Sequence, residues 1–273
     1  MKKENVNLFV FTICVLVLSS AVAQAQDLKL EISLSDTTYY VCQSIWLDAE
    51  LTNISDDTVR VQTFKFPGGD ILNVVLRSEN GDTLRSVWHA QLLDWSGFVL
   101  NPEKTYYEAL DLADVFHNYE VAPEFPAFQW TPSLAPGKYE VSAEYQFRHN
   151  KVGTPKIAFE VIEPTGTQRQ ALELYVQAYR NQKRKNYSLA KQQLNSLITS
   201  YPKSVYAEKA YWRVHGNEEL LEKCPDSGYH QGHLRTAIDK MSNEEKQRFL
   251  QEVIKDHPKT RSAKFAEQML RLR

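Results

Sequence analysis

Two hydrophobic periods run along this chain, and they change at one place. From residue 28, apolar and polar positions alternate: Leu28, Leu30, Ile32 and Leu34 fall on one side of an extended segment, with Lys29, Glu31 and Ser33 on the other. Ile45, Leu47, Ala49 and Leu51 repeat the pattern. Val59 and Val61, the segment 71–77, Phe98 to Leu100, Tyr139 to Tyr145 and Ile157 to Val161 continue it. Polar turns separate these segments. Asn80-Gly81 is a pair that a tight hairpin selects, because both central positions can take positive φ. After Glu163-Pro164-Thr165-Gly166 the period becomes about 3.6. Stripes form from Ala171, Leu174, Tyr175 and Ala178, then from Ala190, Leu194, Leu197 and Ile198, then from Ala207, Ala210, Tyr211 and Val214. Phe249, Leu250, Val253 and Ile254, followed by Ala266, Met269 and Leu270, complete the series. The first half is predicted to be strands and the second helices.

The helical half repeats itself. Leu197-Ile198-Thr199-Ser200-Tyr201-Pro202-Lys203-Ser204 leads to Ala207 and Ala210, and 56 residues later Val253-Ile254-Lys255-Asp256-His257-Pro258-Lys259-Thr260 leads to Ala263 and Ala266. Proline ends one helix and suits the start of the next, and Ser204 and Thr260 are placed to cap that next helix. A poorer copy begins at Pro225-Asp226-Ser227, 33 residues before Pro258, close to the 34-residue tetratricopeptide period.

These residues carry resemblances. Ala190-x3-Leu194-x2-Leu197-Ile198-x2-Tyr201-Pro202-x-Ser204-x2-Ala207-x2-Ala210 resembles the tetratricopeptide-like repeats of bacterial envelope assembly proteins. That resemblance implies protein–protein interaction without catalysis or cofactor. Leu134-Ala135-Pro136-Gly137-Lys138-Tyr139-Glu140-Val141 resembles the approach to a late strand in bacterial immunoglobulin-like domains, and the order of strands and turns is similar to a sandwich-type proteinase-inhibitor domain. The expected fold is multidomain β + α: an immunoglobulin-like antiparallel β-sandwich over residues 26–163, followed by an α-helical tetratricopeptide-like array over 168–273.

The N-terminus reads as an export signal. Lys2 and Lys3 precede an apolar run of 11 residues, Leu8 to Leu18, broken by Thr12, with candidate cleavage sites ending at Ala23 and Ala25. A spanning helix needs about 20 apolar residues, so residues 1–25 are expected to be a signal peptide and the remainder a periplasmic or secreted chain without a membrane span. At 42% apolar and 24% charged, the composition is that of folded protein. Cys42 and Cys224 remain after cleavage and are expected as thiols rather than a disulfide framework; an interdomain bridge is the alternative. The net charge of −2 conceals a division: residues 1–164 hold 12 Lys and Arg against 22 Asp and Glu, and residues 165–273 hold 20 against 12. The balances of −10 and +8 would help the halves dock or steer an acidic partner, or simply solvate two surfaces. Export argues against nucleic acid.

Motifs for chemistry are few. His230 and His233 stand three apart near Cys224 and Asp226, but a structural zinc site wants four ligands at firmer spacing, so no metal is expected. There is no His-Glu-x-x-His, no Gly-x-Ser-x-Gly and no phosphate loop, and no cofactor is expected. Asn53-Ile54-Ser55 and Asn186-Tyr187-Ser188 fit the glycosylation pattern. Lys183, Arg184 and Lys185 form the densest basic cluster, and Tyr206 and Trp212 lie on one helical segment; these five are the candidate contacts for another protein or peptide. Residues 86–130 are rich in aromatics, and Trp88, Trp95 and Trp130 are the candidate stacking platform for a glycan. The leading expectation is a non-enzymatic binding or scaffold protein of the cell envelope or extracellular space. A carbohydrate-binding module and a proteinase inhibitor are the alternatives.

Overall fold

A computed structural model of the chain describes residues 27–64, 72–84, 97–116, 133–148, 150–215, 217–239 and 241–271. Before residue 163 it contains β1 (Leu28–Leu34), β2 (Thr38–Tyr40), β3 (Trp46–Asn53), β4 (Val59–Gln62), β5 (Leu72–Ser78), β6 (Thr83–Leu84), β7 (Gly97–Leu100), β8 (Thr105–Asp111), the short α1 (Leu112–Phe116), β9 (Gly137–Phe147), β10 (Asn150–Gly153) and β11 (Ile157–Ile162). Then follow α2 (Gly166–Lys183), α3 (Tyr187–Ser200), α4 (Ala207–His215), α5 (Asn217–Lys223), α6 (His230–Asp239), α7 (Asn243–Asp256) and α8 (Arg261–Arg271).

The alternating segments pair because each buries one face. β1, β3 and β8 form an antiparallel sheet in that order, with Leu30 opposite Leu51 and Leu51 opposite Tyr106. The larger sheet runs β2-β11-β9-β5-β6, with β10 beside β9, and it is mixed, because β11 runs parallel to β2 with Val161 opposite Tyr39. β4 and β7 make a separate ribbon. Leu47, Ala49 and Leu51 face Val74, Leu76, Val141 and Tyr145 in one buried core. The same core continues into the helices through Ala171, Leu172, Tyr175, Leu197, Tyr206 and Ala210. A second, smaller core joins Leu234, Ile238, Leu250, Val253, Phe265 and Ala266.

This arrangement corrects the expected fold class. An immunoglobulin-like antiparallel sandwich followed by a tetratricopeptide-like array would bury its strands and its helices in separate cores, whereas the main core here runs from the sheets into α2, α3 and α4. Instead the sheets are small and of mixed direction, and the helices lie against a sheet in an α/β arrangement. β3 explains why. Its residues are buried on both faces over Trp46 to Ala49, since Leu47 and Ala49 point into the sheet core while Trp46 and Asp48 point at the helices. Strict alternation predicts one wet face, and here a helical layer has taken it.

The sequence repeat acquires a physical meaning in this setting. In both copies the first helix, α3 or α7, ends just before the proline, and the second, α4 or α8, begins beyond it. Ala207 and Ala210 of α4, like Ala263 and Ala266 of α8, are buried. Both second helices lie at the β3–β8 face, because Glu208 meets Trp46 and Arg261 meets Asp48. Thr260 caps α8, accepting from Ala263 N at 3.3 Å. Ser204 does not cap α4; its hydroxyl is buried without a partner, and Ala207 N donates instead to the Ser204 carbonyl at 3.1 Å. α7 opens on a reciprocal cap between Ser242 and Glu245. In the Asn80-Gly81 turn only Gly81 takes positive φ, at 83°, so the expected turn geometry is replaced by one with a single left-handed position.

Two tight fits hold the layers. Tyr139, the third residue of β9, donates its hydroxyl to the Ala135 carbonyl at 2.8 Å and so ties the preceding turn to the strand. Gly228 lies directly over the Trp46 indole, and a Cβ there would stand 2.8 Å from Cδ2 and closer still to Cε3 and Cζ3. Gly228→Ala is therefore expected to destabilise the protein by about 1–3 kcal/mol through overpacking, measured by urea unfolding; wild-type stability would show that this contact yields freely.

Candidate interaction site

The face shared by β3, β8, α4 and α8 collects most of the buried charge. Arg261, 7% exposed, grips Asp48 with both ends of its guanidinium: Nε reaches Oδ1 and an Nη reaches Oδ2, each at 2.8 Å. Its other Nη donates to the Asp226 carboxylate at 3.1 Å and to the Asp226 carbonyl at 2.9 Å. Burial works against the guanidinium charge, but the Asp48 hydrogen bonds and the charges of Asp48 and Asp226 outweigh it, so its pKa lies above the ordinary value. Tyr107 donates its hydroxyl to Asp48 at 2.6 Å, and burial followed by the Asp48 charge pushes the phenol upward. Gln268 of α8 accepts the Tyr107 amide through Oε1, capping an outward N–H of the edge strand β8. Lys264 reaches Glu50 at 2.9 Å.

A second anchor lies beside it. Asp111 accepts Ile45 N at 2.9 Å and Ala113 N at 3.1 Å, and faces the Lys209 ammonium at 3.8 Å. Glu208 accepts Trp46 Nε1 at 3.0 Å and the Ser227 hydroxyl at 2.6 Å. Tyr229 stacks on Trp212, with centroids 4.5 Å apart and an interplanar angle of 1°, and meets Trp46 edge-on at 4.9 Å. For Lys209, burial disfavours the charge, yet Asp111, Tyr175 and Asp114 reverse the effect and its pKa is raised. Lys209, Arg261 and Lys264 thus bridge the basic half to the acidic half, so part of the charge division is spent inside the molecule. These donors and acceptors serve one another. Chemically the face is a fastening between layers.

The sequence-derived candidates separate accordingly. Tyr206 is fully buried, with its hydroxyl donated to the Val41 carbonyl at 2.9 Å, and it is corrected from a partner contact to a core residue. Trp212 is half-buried against Tyr229, and its apolar face is used there. Lys183 is half-buried, its ammonium 5.7 Å from the Tyr179 ring centroid. Arg184 and Lys185 are exposed in the α2–α3 turn. Trp88, Trp95 and Trp130 lie outside the described residues. Asn53 is buried, its amide donating to the carbonyls of Asp57 and Leu100, so it is no glycan acceptor; Asn186 is exposed. His230 meets the Cys224 carbonyl at 2.8 Å. Among the described residues no group of three metal-ligating side chains comes together. Cys42 and Cys224 are unpaired thiols, and burial pushes them up to about 12 and about 11.

Sequence reasoning overlooked two surface residues. Tyr187 and Leu189, 62% and 45% exposed, stand two and four residues after Lys185. The signal was available, since Leu189 sits off the Ala190–Leu194–Leu197 stripe that α3 buries. The turn that leads into them is closed by backbone hydrogen bonds. Lys185 takes a left-handed φ of 63°, its amide donates to the Gln182 carbonyl at 3.0 Å, and Asn186 N closes on the Asn181 carbonyl at 2.8 Å. The outer face of the larger sheet carries an open groove of about 660 Å³ lined by Arg77, Glu79, Lys138, Glu140, Lys156 and Glu160. Its charges are of both signs, and Lys156 already pairs with Glu140 at 2.7 Å.

No family model matches the sequence, and no curated protein matches it. Among solved structures, a β-glucosidase from Listeria innocua in complex with glucose aligns at TM-score 0.29 and 13% identity, over 50% of this chain and 16% of that one. The Pseudomonas fluorescens alkylpurine DNA glycosylase AlkC aligns at 0.28 and 12% identity, over 54% and 33%. The sporulation control protein Spo0M from Bacillus subtilis aligns at 0.27 and 10% identity, over 57% and 55%. The chain spans about a sixth of the glucosidase, and at TM-scores this low none of these likenesses bears on its fold or activity.

Arg261→Ala is expected to cost about 3–5 kcal/mol of stability, because it leaves the Asp48 charge buried and unpaired. The double variant Arg261→Met with Asp48→Leu should recover most of that loss in chemical unfolding. A single variant close to wild type would show that the face is hydrated.

Proposed function

We propose that this is a non-enzymatic binding protein of the cell envelope or extracellular space, which engages an acidic surface of another protein through the α2–α3 turn. The observation that carries the reading is the joint exposure of Arg184 and Lys185 in the α2–α3 turn and of Tyr187 and Leu189 in the first turn of α3. Tyrosine and arginine are side chains enriched in protein-binding hot spots, and Tyr187 and Arg184 are both exposed here. Two cations without an acidic partner in the same turn favour a negative counterpart, and they would speed its approach. The export signal read at residues 1–25 supports the location, and no helix among the described residues is long and apolar enough to cross a membrane.

The test is affinity capture from the envelope fraction of the producing cell, with the full mature chain as bait. One partner should be recovered in low salt, be released as salt rises, and bind at least about tenfold more weakly to Tyr187→Ala and to Arg184→Glu with Lys185→Glu. Capture unchanged in these variants, or glycan binding by the chain with no protein partner, would overturn the reading.

A further inference from the structure

Helices α6, α7 and α8 bury an apolar core of their own. Leu234 and Ile238 of α6, Leu250 and Val253 of α7, and Phe265 and Ala266 of α8 pack on one another, with Leu221 of α5 partly buried against them. The main core takes the sheets together with α2, α3 and α4, and among the described residues the two cores do not join. Between α8 and the β3–β8 face the fastenings are polar. Arg261 grips Asp48, Lys264 reaches Glu50 and stands 5.2 Å from the Tyr107 ring centroid, and Gln268 accepts the Tyr107 amide. Ser262 donates its hydroxyl to the Pro225 carbonyl at 2.6 Å, beside the contact of Arg261 with Asp226. We propose that α6–α8 form a strap that opens from the β3–β8 face as one unit while the sheets and α2–α4 stay folded, and that the closed strap hides the outward edge of β8. This stands independently of the binding role proposed above.

Charged and apolar contacts respond differently when two surfaces part. Arg261, Asp48, Lys264 and Glu50 all regain hydration on opening, which offsets most of the attraction they lose. Apolar surface regains nothing of the kind, and the buried apolar clusters lie within the strap or within the main body. The boundary of lowest opening cost therefore follows the polar seam.

The loop before α6 belongs to the main body. Ser227 donates to Glu208 at 2.6 Å, Gly228 lies on the Trp46 indole, and Tyr229 stacks on Trp212. The chain leaves this anchored loop at His230, itself held to the Cys224 carbonyl at 2.8 Å, and there the strap is tethered. Opening separates Arg261 from Asp48 and Asp226 and frees the Tyr107 amide from Gln268. A strand edge freed in this way can pair with another strand, and closure prevents it.

The experiment is NMR-detected amide hydrogen exchange of the full mature chain at increasing urea below the unfolding transition. The amides of α6–α8 and the Tyr107 N–H should share one exchange free energy and one shallow urea slope. The amides of β5 and β9 should exchange at least about a hundredfold more slowly without urea, and with a steeper slope. Arg261→Ala strands the Asp48 charge in the closed form alone, so opening read at Tyr107 should become at least about a hundredfold more frequent. In Arg261→Met with Asp48→Leu it should lie within about tenfold of wild type. A single exchange free energy and urea slope for α6–α8, β5 and β9 would overturn the proposal, because the strap would then open only with the whole molecule. So would a Tyr107 amide that follows β5 and β9 while the helices exchange early, which is fraying without opening, or a Tyr107 rate unmoved by Arg261→Ala. Should that variant fail to fold, the wild-type exchange pattern decides by itself.

Discussion

The two-toothed contact between Arg261 and Asp48 is the constraint from which the layering follows. Asp48 sits in the middle of β3, on the face opposite the sheet core, and a carboxylate there cannot be covered by apolar side chains alone. A buried ion pair adds little net stability over a well-packed apolar one. What it does is penalise every seating that strands either charge. The seating of α8 on β3 and β8 that keeps both charges paired also sets Lys264 on Glu50 and Gln268 on the amide of Tyr107. The amide of β8 that would otherwise invite another strand is consumed at the same time.

The charge division along the chain has the same origin. Acidic residues on the helix-facing side of β3 and β8 meet basic residues on α4 and α8, so the contrast between the halves is in part an assembled interface seen before assembly. Arg184 and Lys185 remain outside it, beside Tyr187 and Leu189 on a turn held by its own backbone hydrogen bonds. The molecule thus spends some of its basic residues internally and presents others, and only the latter are available for recognition.

Several features could be read before any coordinates. The change of period at residues 163–166 coincides with the end of β11 at Ile162 and the start of α2 at Gly166, because a face that repeats every second residue packs only as strand and one that repeats near every fourth only as helix. The 56-residue repeat marks two helix pairs with buried alanines at equivalent places. The partner candidates were less legible. Tyr206 looked like a ligand contact because an aromatic on a polar stretch carries no label saying which side is covered; it turned inward to the Val41 carbonyl. Tyr107 and Asp111 were hidden for the same reason, since an aromatic segment with scattered acids does not announce that two layers will close on it.

What the sequence determined alone is local: which segments extend, which coil, where prolines and capping residues break them, and how charge is apportioned between the halves. Those properties depend on neighbours within a few residues. The tertiary structure decided which faces are shared. The buried charges of Asp111 and Asp48 meet partners 98 and 213 residues away, Lys209 and Arg261, which only folding brings to them. No periodicity within either half encodes that meeting, because its energy exists only once both halves are in place.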